Sequence, residues 1–243
     1  MGRWHRLVRW QTDREEVLEY REIIKGKFIK RVNRFIARVE AEGEEGLCHV
    51  KNTGRMRELF VEGVPVYLEK SDNPNRKTAY SLVGVKKDGF LVNVDSQAPN
   101  KMVQEWLLKT DKEKKILCLK PEAAFGNSRF DFYLETTEKK EWIEVKGVTL
   151  VEEGIALFPD APTERGVKHI KELSRAVEEG YLAALIFVIQ RKGVRWFQPN
   201  VRTHPEFAQA LKEARKKGVS LLCYDSIVTE CGAVIDERIK IRL

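Results

Sequence analysis

The sequence predicts a chain in two parts, an all-β N-terminal unit followed by an α/β unit built on a mixed sheet, divided at about residues 1–94 and 95–243. Three observations predict it. From Gly26 to about Val94, short alternating runs are punctuated by Gly and Asn and lack helical periodicity, the pattern of a small antiparallel barrel or sandwich. After "DSQAPN" the pattern becomes helix, three strands, helix, strand, helix, strand, an α/β order with a mixed sheet. At 243 residues and 42% hydrophobic, the chain is long enough to give each unit its own core.

Taken in order, "TDREEVLEYREII" reads as a short helix capped by Thr12 or Asp13, or equally as a lead-in to the barrel. The runs "KFIKRVNRFIARVE", "GLCHVKNTG", "VPVYLEK" and "AYSLVGVKKDGFLVNV" supply the barrel strands. "KMVQEWLLK" places Met102, Val103, Trp106 and Leu107 on one helical side, with Asn100 as a cap near its start. "KILCLKPEAAF", "RFDFYLE" and "EWIEVKGVTL" are strands, followed by the helix "TERGVKHIKELSRAVEEG" and the buried strand "YLAALIFVIQ". The helix "PEFAQALKEARKKG" and the strand "VSLLCYD" complete the order, and Gly180 and Gly218 stand where helix C-caps are expected.

Composition excludes several classes. The longest apolar run, "YLAALIFVI", has about half the length of a membrane span, and the basic N-terminus lacks the apolar core of a targeting peptide. A cytoplasmic protein with no membrane partner is expected. Cys48, Cys118, Cys223 and Cys231 form no C-x-x-C pair, and no His cluster lies near them, so a zinc site is disfavoured and four reduced thiols are expected. Cys223 and Cys231 are the one pair close in sequence, and Cys118 reads as core. Charged residues at 33%, with Asn and Gln sparse, match a thermophile's composition. The net charge of +7 favours polyanionic partners. Neither a phosphate-binding G-x-x-x-x-G-K-[ST] loop nor a G-x-G-x-x-G fingerprint is present, which leaves nucleotide-cofactor chemistry without support.

The chemistry concentrates in "SRFDFYLETTEKKEWIEVKGVTL". On strands, alternate residues share a face. Trp142, Glu144 and Lys146 then lie together, as do Asp131, Tyr133 and Glu135, with Phe130, Phe132 and Leu134 opposite. A turn around "TTEKKE" brings the two strands side by side, so that Asp131 and Glu144 converge with Lys146 beside them. Two carboxylates are hard oxygen ligands for Mg²⁺ or Mn²⁺, which polarises a phosphoryl oxygen and lowers the pKa of a bound water. A nearby ammonium orients that water. An Asp followed by E-x-K on the next strand is the signature of the PD-(D/E)XK nuclease-like folds; on an outer sheet face the same residues form solvated salt bridges.

"SRFDFYLE", "WIEVKGVTL" and "FPDAPTERGVKHIKEL", with "KNTGRM", "NPNRKTAYSLVGV" and "VNVDSQAPN" upstream, resemble the sugar fermentation stimulation protein (SfsA) family in the same order from about Phe28 onward. The resemblance implies an N-terminal OB-like barrel and an αβββαβ PD-(D/E)XK nuclease-like domain. It also implies a DNA-binding protein that stimulates sugar (maltose) metabolism genes. Its core site falls on Asp131, Glu144 and Lys146, with Glu105 and Glu122 as further carboxylates for the metal. Arg165, Lys168 and His169, beside Glu164 in "TERGVKH", would stand at a helix start that favours a phosphate; with no other His near, His169 reads as a group behind the metal ligands or on phosphate rather than as a ligand itself. Residues 1 to about 20 extend beyond the family's usual start.

An OB barrel binds oligonucleotides through a basic groove with aromatic platforms. Arg31, Arg34, Arg55, Arg76 and Lys77 are the basic candidates there, Phe35 and Tyr80 the aromatic ones, and Arg129 joins them from the second unit. The bland alternative makes Phe35 and Tyr80 core and the arginines an ordinary solvated face. Two functions stay open at this point: a Mg²⁺-dependent DNA endonuclease or exonuclease, and a non-catalytic DNA-binding regulator. A homodimer is also left open. A small-molecule sugar enzyme has the least support, because no kinase or dehydrogenase motif is present.

Overall fold

The computed structural model describes residues 18–73, 75–113 and 115–243. Six strands come first: β1 (Ile23–Arg31), β2 (Ile36–Ala41), β3 (Glu44–Val50), β4 (Pro65–Lys70), β5 (Tyr80–Lys87) and β6 (Phe90–Asn93). They pair in the order β3-β2-β1-β4-β5-β6, and parallel pairing of β3 with β5 closes the sheet into a five-stranded barrel of the OB type. Alternation decides what faces inward. Ala37, Val39 and Ala41 of β2 are buried while Arg38 and Glu40 between them are exposed. Met56 and Leu59 of the long β3–β4 connection enter the same core, and Phe60 stacks on Phe28 at 5.1 Å.

The second part opens with α1 (Ala98–Thr110). It continues through β7 (Ile116–Phe125), β8 (Ser128–Thr136), β9 (Lys140–Val148), β10 (Val151–Glu152), β11 (Ile155–Phe158), α2 (Glu164–Glu178) and β12 (Leu182–Ile189). Then come β13 (Trp196–Pro199), α3 (Pro205–Lys216), β14 (Ser220–Thr229) and β15 (Gly232–Arg238). The main sheet runs β15-β14-β12-β9-β8-β7; β9, β12 and β14 are parallel, and the outer strands are antiparallel. "LAALIFVI" of β12 is almost wholly buried, as a central strand covered on both faces must be. Met102 and Val103 of α1 cover one face. Ile170 and Leu173 of α2, with Phe207 and Leu211 of α3, cover the other. Gly180 and Gly218 take φ of 90° and 98° just beyond α2 and α3, left-handed values that glycine adopts without a Cβ clash. Tyr67 and Val83 of the barrel join the α1-side core, so the two parts share buried surface.

Several expectations are corrected here. The helix read over "TDREEVLEYREII" does not form in its described portion: Glu19 bridges to Gly232, and Ile23 already belongs to β1. The caps Thr12 and Asp13 lie outside the described residues. Asn100 is not a cap, since α1 starts at Ala98 with Gln97 at the N-cap position. The short sheet β10-β11-β13 and the edge strand β15 were not expected from the sequence. Cys118 and its neighbour Leu117 are exposed on the edge strand β7 rather than in the core. Cys223 is buried, Cys231 is exposed, and both are free, as are Cys48 and Cys118.

The alternation drawn for β8 also breaks. Phe132 and Leu134 pack on the α1 side, but Phe130 packs with Phe125 and Trp142 on the α2 side. Pairing with β7 runs Pro121↔Phe132 and then Ala123↔Phe130, and between them Glu122 adopts φ 51°. A left-handed residue kinks a strand and re-aims the side chains beyond it. The β7–β8 ribbon therefore changes sides at Glu122 and Asp131.

Candidate metal centre and its surroundings

Asp131 and Glu144 meet where the β8–β9 ladder stops. The pairing runs from Glu135↔Lys140 to Phe132↔Ile143, and Asp131 and Glu144 are the next residues on the two strands. There Asp131 Oδ2 accepts the Val145 N–H at 2.7 Å, replacing the strand carbonyl that this donor would otherwise need. Its Oδ1 accepts from Asn100 Nδ2 at 2.8 Å. Asn100 thus anchors α1 to the site, a role invisible in sequence because its partner lies 31 residues away.

Glu144 is 2% exposed on β9, beside Leu185 of β12. Its Oε1 accepts from Lys146 Nζ and is bonded to His169 Nδ1. Its Oε2 is buried with no partner among the described residues. Arg165 Nε donates to His169 Nε2 at 3.4 Å; a guanidinium can only donate, so the imidazole proton sits on Nδ1 and points to Glu144. Thr163 caps α2 by accepting the Gly166 N–H at 3.0 Å, which sets the helix end beside the site and carries His169 into it.

Burial, and then the nearby charge of Glu144, push Asp131 up to about 6, against the Val145 N–H, Lys146 and Asn100. Burial alone would raise Glu144 too, but the His169 and Lys146 contacts outweigh it and hold the group below its ordinary value. Two carboxylates of unequal basicity beside one unpartnered oxygen form a donor set that suits a hard divalent cation. The other three carboxylate oxygens of the pair each have a protein partner.

Of the further carboxylates, Glu122 is carried away from this point. Glu122 is exposed and pairs with Arg129 at 3.7 Å, a consequence of its left-handed backbone. Glu105 is half-buried on α1, about 140° around the helix from Asn100 at the standard rotation per residue. Elsewhere among the described residues, Asp225, Asp236 and Glu237 gather ligand-type oxygens. Lys192 Nζ reaches all three, at 2.8, 2.7 and 3.3 Å, so that cluster already holds its cation.

The basic candidates divide by what already holds them. All five bonds of the Arg31 guanidinium go to backbone carbonyls, those of Asn33, Arg34, Asn52, Gly54 and Arg55. Its donors are spent on tying the β1–β2 and β3–β4 loops together, which removes it from the phosphate contacts. His169 is buried against Glu144 and is likewise not a surface contact. Arg76 donates to Ser81 Oγ at 2.9 Å, and Lys168 to the Asn127 carbonyl at 3.2 Å. Arg34, Arg55 and Lys77 are exposed. Phe35 is 48% exposed with Arg34 over its ring at 5.8 Å, outside the barrel core. Tyr80 is half-buried and donates to Glu42 at 2.7 Å.

The sequence matches two family models, the SfsA N-terminal OB domain over residues 29–94 and the sugar fermentation stimulation protein RE domain over residues 97–232. The chain belongs to the SfsA family. SfsA relatives at high identity include the sugar fermentation stimulation protein homolog of Clostridium beijerinckii, 53% identical over 93% of this chain and 100% of that protein. The homolog of Ruminiclostridium cellulolyticum is 54% identical over the same shares. The structure of Pyrococcus furiosus SfsA in complex with Ca²⁺ superposes with a TM-score of 0.83 at 26% identity, covering 93% of this chain and 99% of that one. No helix among the described residues is long and apolar enough to cross a membrane.

Proposed function

We propose that this SfsA protein is a DNA-binding, divalent-metal-dependent phosphodiesterase whose centre is Asp131, Glu144 and Lys146. The observation that carries the reading is the buried, unpartnered Glu144 Oε2 next to the Asp131 carboxylate. An ionised oxygen withdrawn from water without a partner is costly unless a cation completes it. The Pyrococcus furiosus relative was solved with Ca²⁺, the same class of hard cation, and Mg²⁺ or Mn²⁺ would be the working ion. Asp131 and Glu144 would hold it, Asp131 through the lone pairs left by Val145 and Asn100. When bound, the ion supplies charge neutralisation at the phosphoryl group and a more acidic water.

The chain's own residues supply the rest. His169 and Arg165 fix the Glu144 carboxylate in one orientation. Asn100 and the Val145 N–H do the same for Asp131. Lys146 places an ammonium at the edge of the site, where it stabilises charge developing on phosphate. The exposed Arg34, Arg55 and Lys77 supply sequence-independent attraction for the backbone. Within this reading, the family's link to sugar metabolism genes acts through DNA binding.

A second reading rests on another observation: Lys146 is bonded to Glu144 rather than free. In that reading the trio is a structural ion pair, and the protein is a non-catalytic DNA-binding regulator. Incubation with single-stranded, duplex and flap DNA in Mg²⁺ or Mn²⁺ separates them. The hydrolase reading requires cleavage that Asp131→Ala abolishes. Salt-dependent DNA binding without cleavage in either metal establishes the regulator, and cleavage unchanged in Asp131→Ala overturns the assigned centre.

A further inference from the structure

A polar cavity of about 330 Å³ lies between the β3–β4 loop of the barrel and the segments that follow β9, β11 and β13. Arg55, Arg57 and Glu58 line it from the loop, and Leu150, Asp160 and Asn200 from the α/β part. The site is built rather than incidental. Gly54 lies so close to Asp160 that a Cβ there would stand 2.8 Å from Oδ2, and the same oxygen accepts the Arg55 N–H at 2.9 Å. That contact pins the barrel loop to the α/β part.

The polar groups are sorted by sign. Asn200 is 4% exposed; its backbone N–H goes to the Phe158 carbonyl at 2.8 Å and its Nδ2 to the Pro159 carbonyl at 3.1 Å. With the amide nitrogen committed, Oδ1 is left buried without a partner among the described residues, in a residue that lines the cavity. Glu58 Oε1 is buried and unpartnered as well. Burial, with Asp160 and Glu152 nearby, raises its carboxyl above the ordinary value. At the mouth, the guanidinium groups of Arg55 and Arg57 are exposed and make no hydrogen bond or ion pair among the described residues. Arg202 also lines the cavity but is already bonded to Glu152.

Buried acceptors without donors are rare in folded proteins and mark a missing partner. A bare anion satisfies the two arginines but is repelled by Glu58 and Asp160. The matching ligand carries phosphate at one end and hydrogen-bond donors at the other, with an apolar portion against Leu150, which is half-buried in the lining. The volume is at the small end of ligand cavities, the size of one such unit. We propose that this cavity binds a single nucleotide unit, phosphate on Arg55 and Arg57, and donor groups of base or sugar on Asn200 Oδ1 and Glu58. The unit comes either from a free nucleoside monophosphate or from an unpaired nucleotide of a polynucleotide. Leu150 lies four residues after Lys146, at most about 13 Å at the rise of a strand, which puts the cavity within a few nucleotides' reach of Asp131 and Glu144. This second source rests on the reading given under Proposed function; the first does not.

Calorimetry on the full chain in EDTA tests the proposal without the metal centre. The probes are AMP, CMP, cytidine, inorganic phosphate and a short single-stranded oligonucleotide. A nucleoside monophosphate binding one to one, weakened roughly tenfold by Arg57→Ala and unaffected by Asp131→Ala, supports the free source. Oligonucleotide affinity that falls in both Arg57→Ala and Asn200→Asp, with no monophosphate binding, supports the polynucleotide source. Arg57 is exposed and unbonded, so its variant keeps the fold; unchanged thermal melting verifies this. Phosphate binding as tightly as the monophosphates overturns the proposal, and so does affinity for every probe that is indifferent to Arg57. Because no cleavage is read, such a failure leaves the hydrolase reading untouched, and a loss of cleavage in Asp131→Ala leaves this one untouched.

Discussion

Replacing Asp131 by Asn removes a carboxylate that the fold holds at a cost. Its pKa rises from 3.8 to about 6, chiefly by burial and then by the charge of Glu144. Between those values the folded chain binds more protons than the unfolded one, so stability falls as pH rises and the loss is complete above about 6. At 1.36 kcal/mol per pH unit, the penalty at neutral pH is at most about 3 kcal/mol. Asn keeps one oxygen for the Val145 N–H, and the Asn100 amide can turn to accept from the new NH₂, so few bonds are lost. In EDTA at pH 7.5 the variant should melt several degrees above the parent, with a ceiling of about 6–12 °C at roughly 2–4 °C per kcal/mol for a chain of this size. The gain should shrink to nothing below about pH 4, where the parent's carboxyl is protonated in both states. Saturating Ca²⁺ should reverse the order, stabilising the parent and leaving the variant unmoved. Thermal melts across pH, with and without Ca²⁺, measure all three effects. A variant less stable than the parent at pH 7.5 in EDTA, or a gain that persists at low pH, would refute the reasoning.

Other contacts carry expectations of their own. Glu144→Gln leaves Lys146 and His169 facing an amide, and chemical denaturation should register a loss of roughly 3 kcal/mol, with Ca²⁺ binding gone by calorimetry. Because Glu144 is held below its ordinary 4.5, the stability from its pairing is complete above that pH and is lost as pH falls through the folded value. Arg31→Ala removes five bonds to loop carbonyls and should cost roughly 2–4 kcal/mol. Arg34→Ala should leave the melt unchanged, yet lower DNA affinity and reduce the slope of log K against log salt by about 1; equal effects of the two variants on stability would overturn the separation drawn between them. Gly54→Ala forces Asp160 off the Arg55 N–H and should destabilise by roughly 1–2 kcal/mol, read by urea midpoint.

The features legible in the sequence were those set by local periodicity. The β2 run "IARVEA" alternates in burial as written, and the uniformly apolar "LAALIFVI" is the covered central strand. Gly180 and Gly218 mark real helix ends. The features missed depend on partners far along the chain. "GAVIDER" carries too little alternation to announce an edge strand, and it forms β15 because β14 offers a free edge. Asn100 reads locally as a cap, but α1 already begins at Ala98, with Pro99 in its first turn, and the Asn100 amide reaches Asp131 instead.

The sequence by itself determined the type and order of the barrel strands and of the main α/β elements up to β14, and the chemistry available: an Asp on one strand, E-x-K on the next, and an excess of cations along the chain. Those properties come from side-chain period and residue identity, both local. Only the tertiary structure decided which of the charged groups share a site. The kink at Glu122 sends its own carboxylate outward while Asp131 turns in. The approach of α2 gives Glu144 its histidine, which decides between the two places open to His169, behind a carboxylate or on phosphate. The docking of the barrel loop on Asp160 encloses a cavity whose walls come from stretches of chain over a hundred residues apart. Convergence of this kind is set by packing and by the pairing of buried polar groups, which no local pattern records.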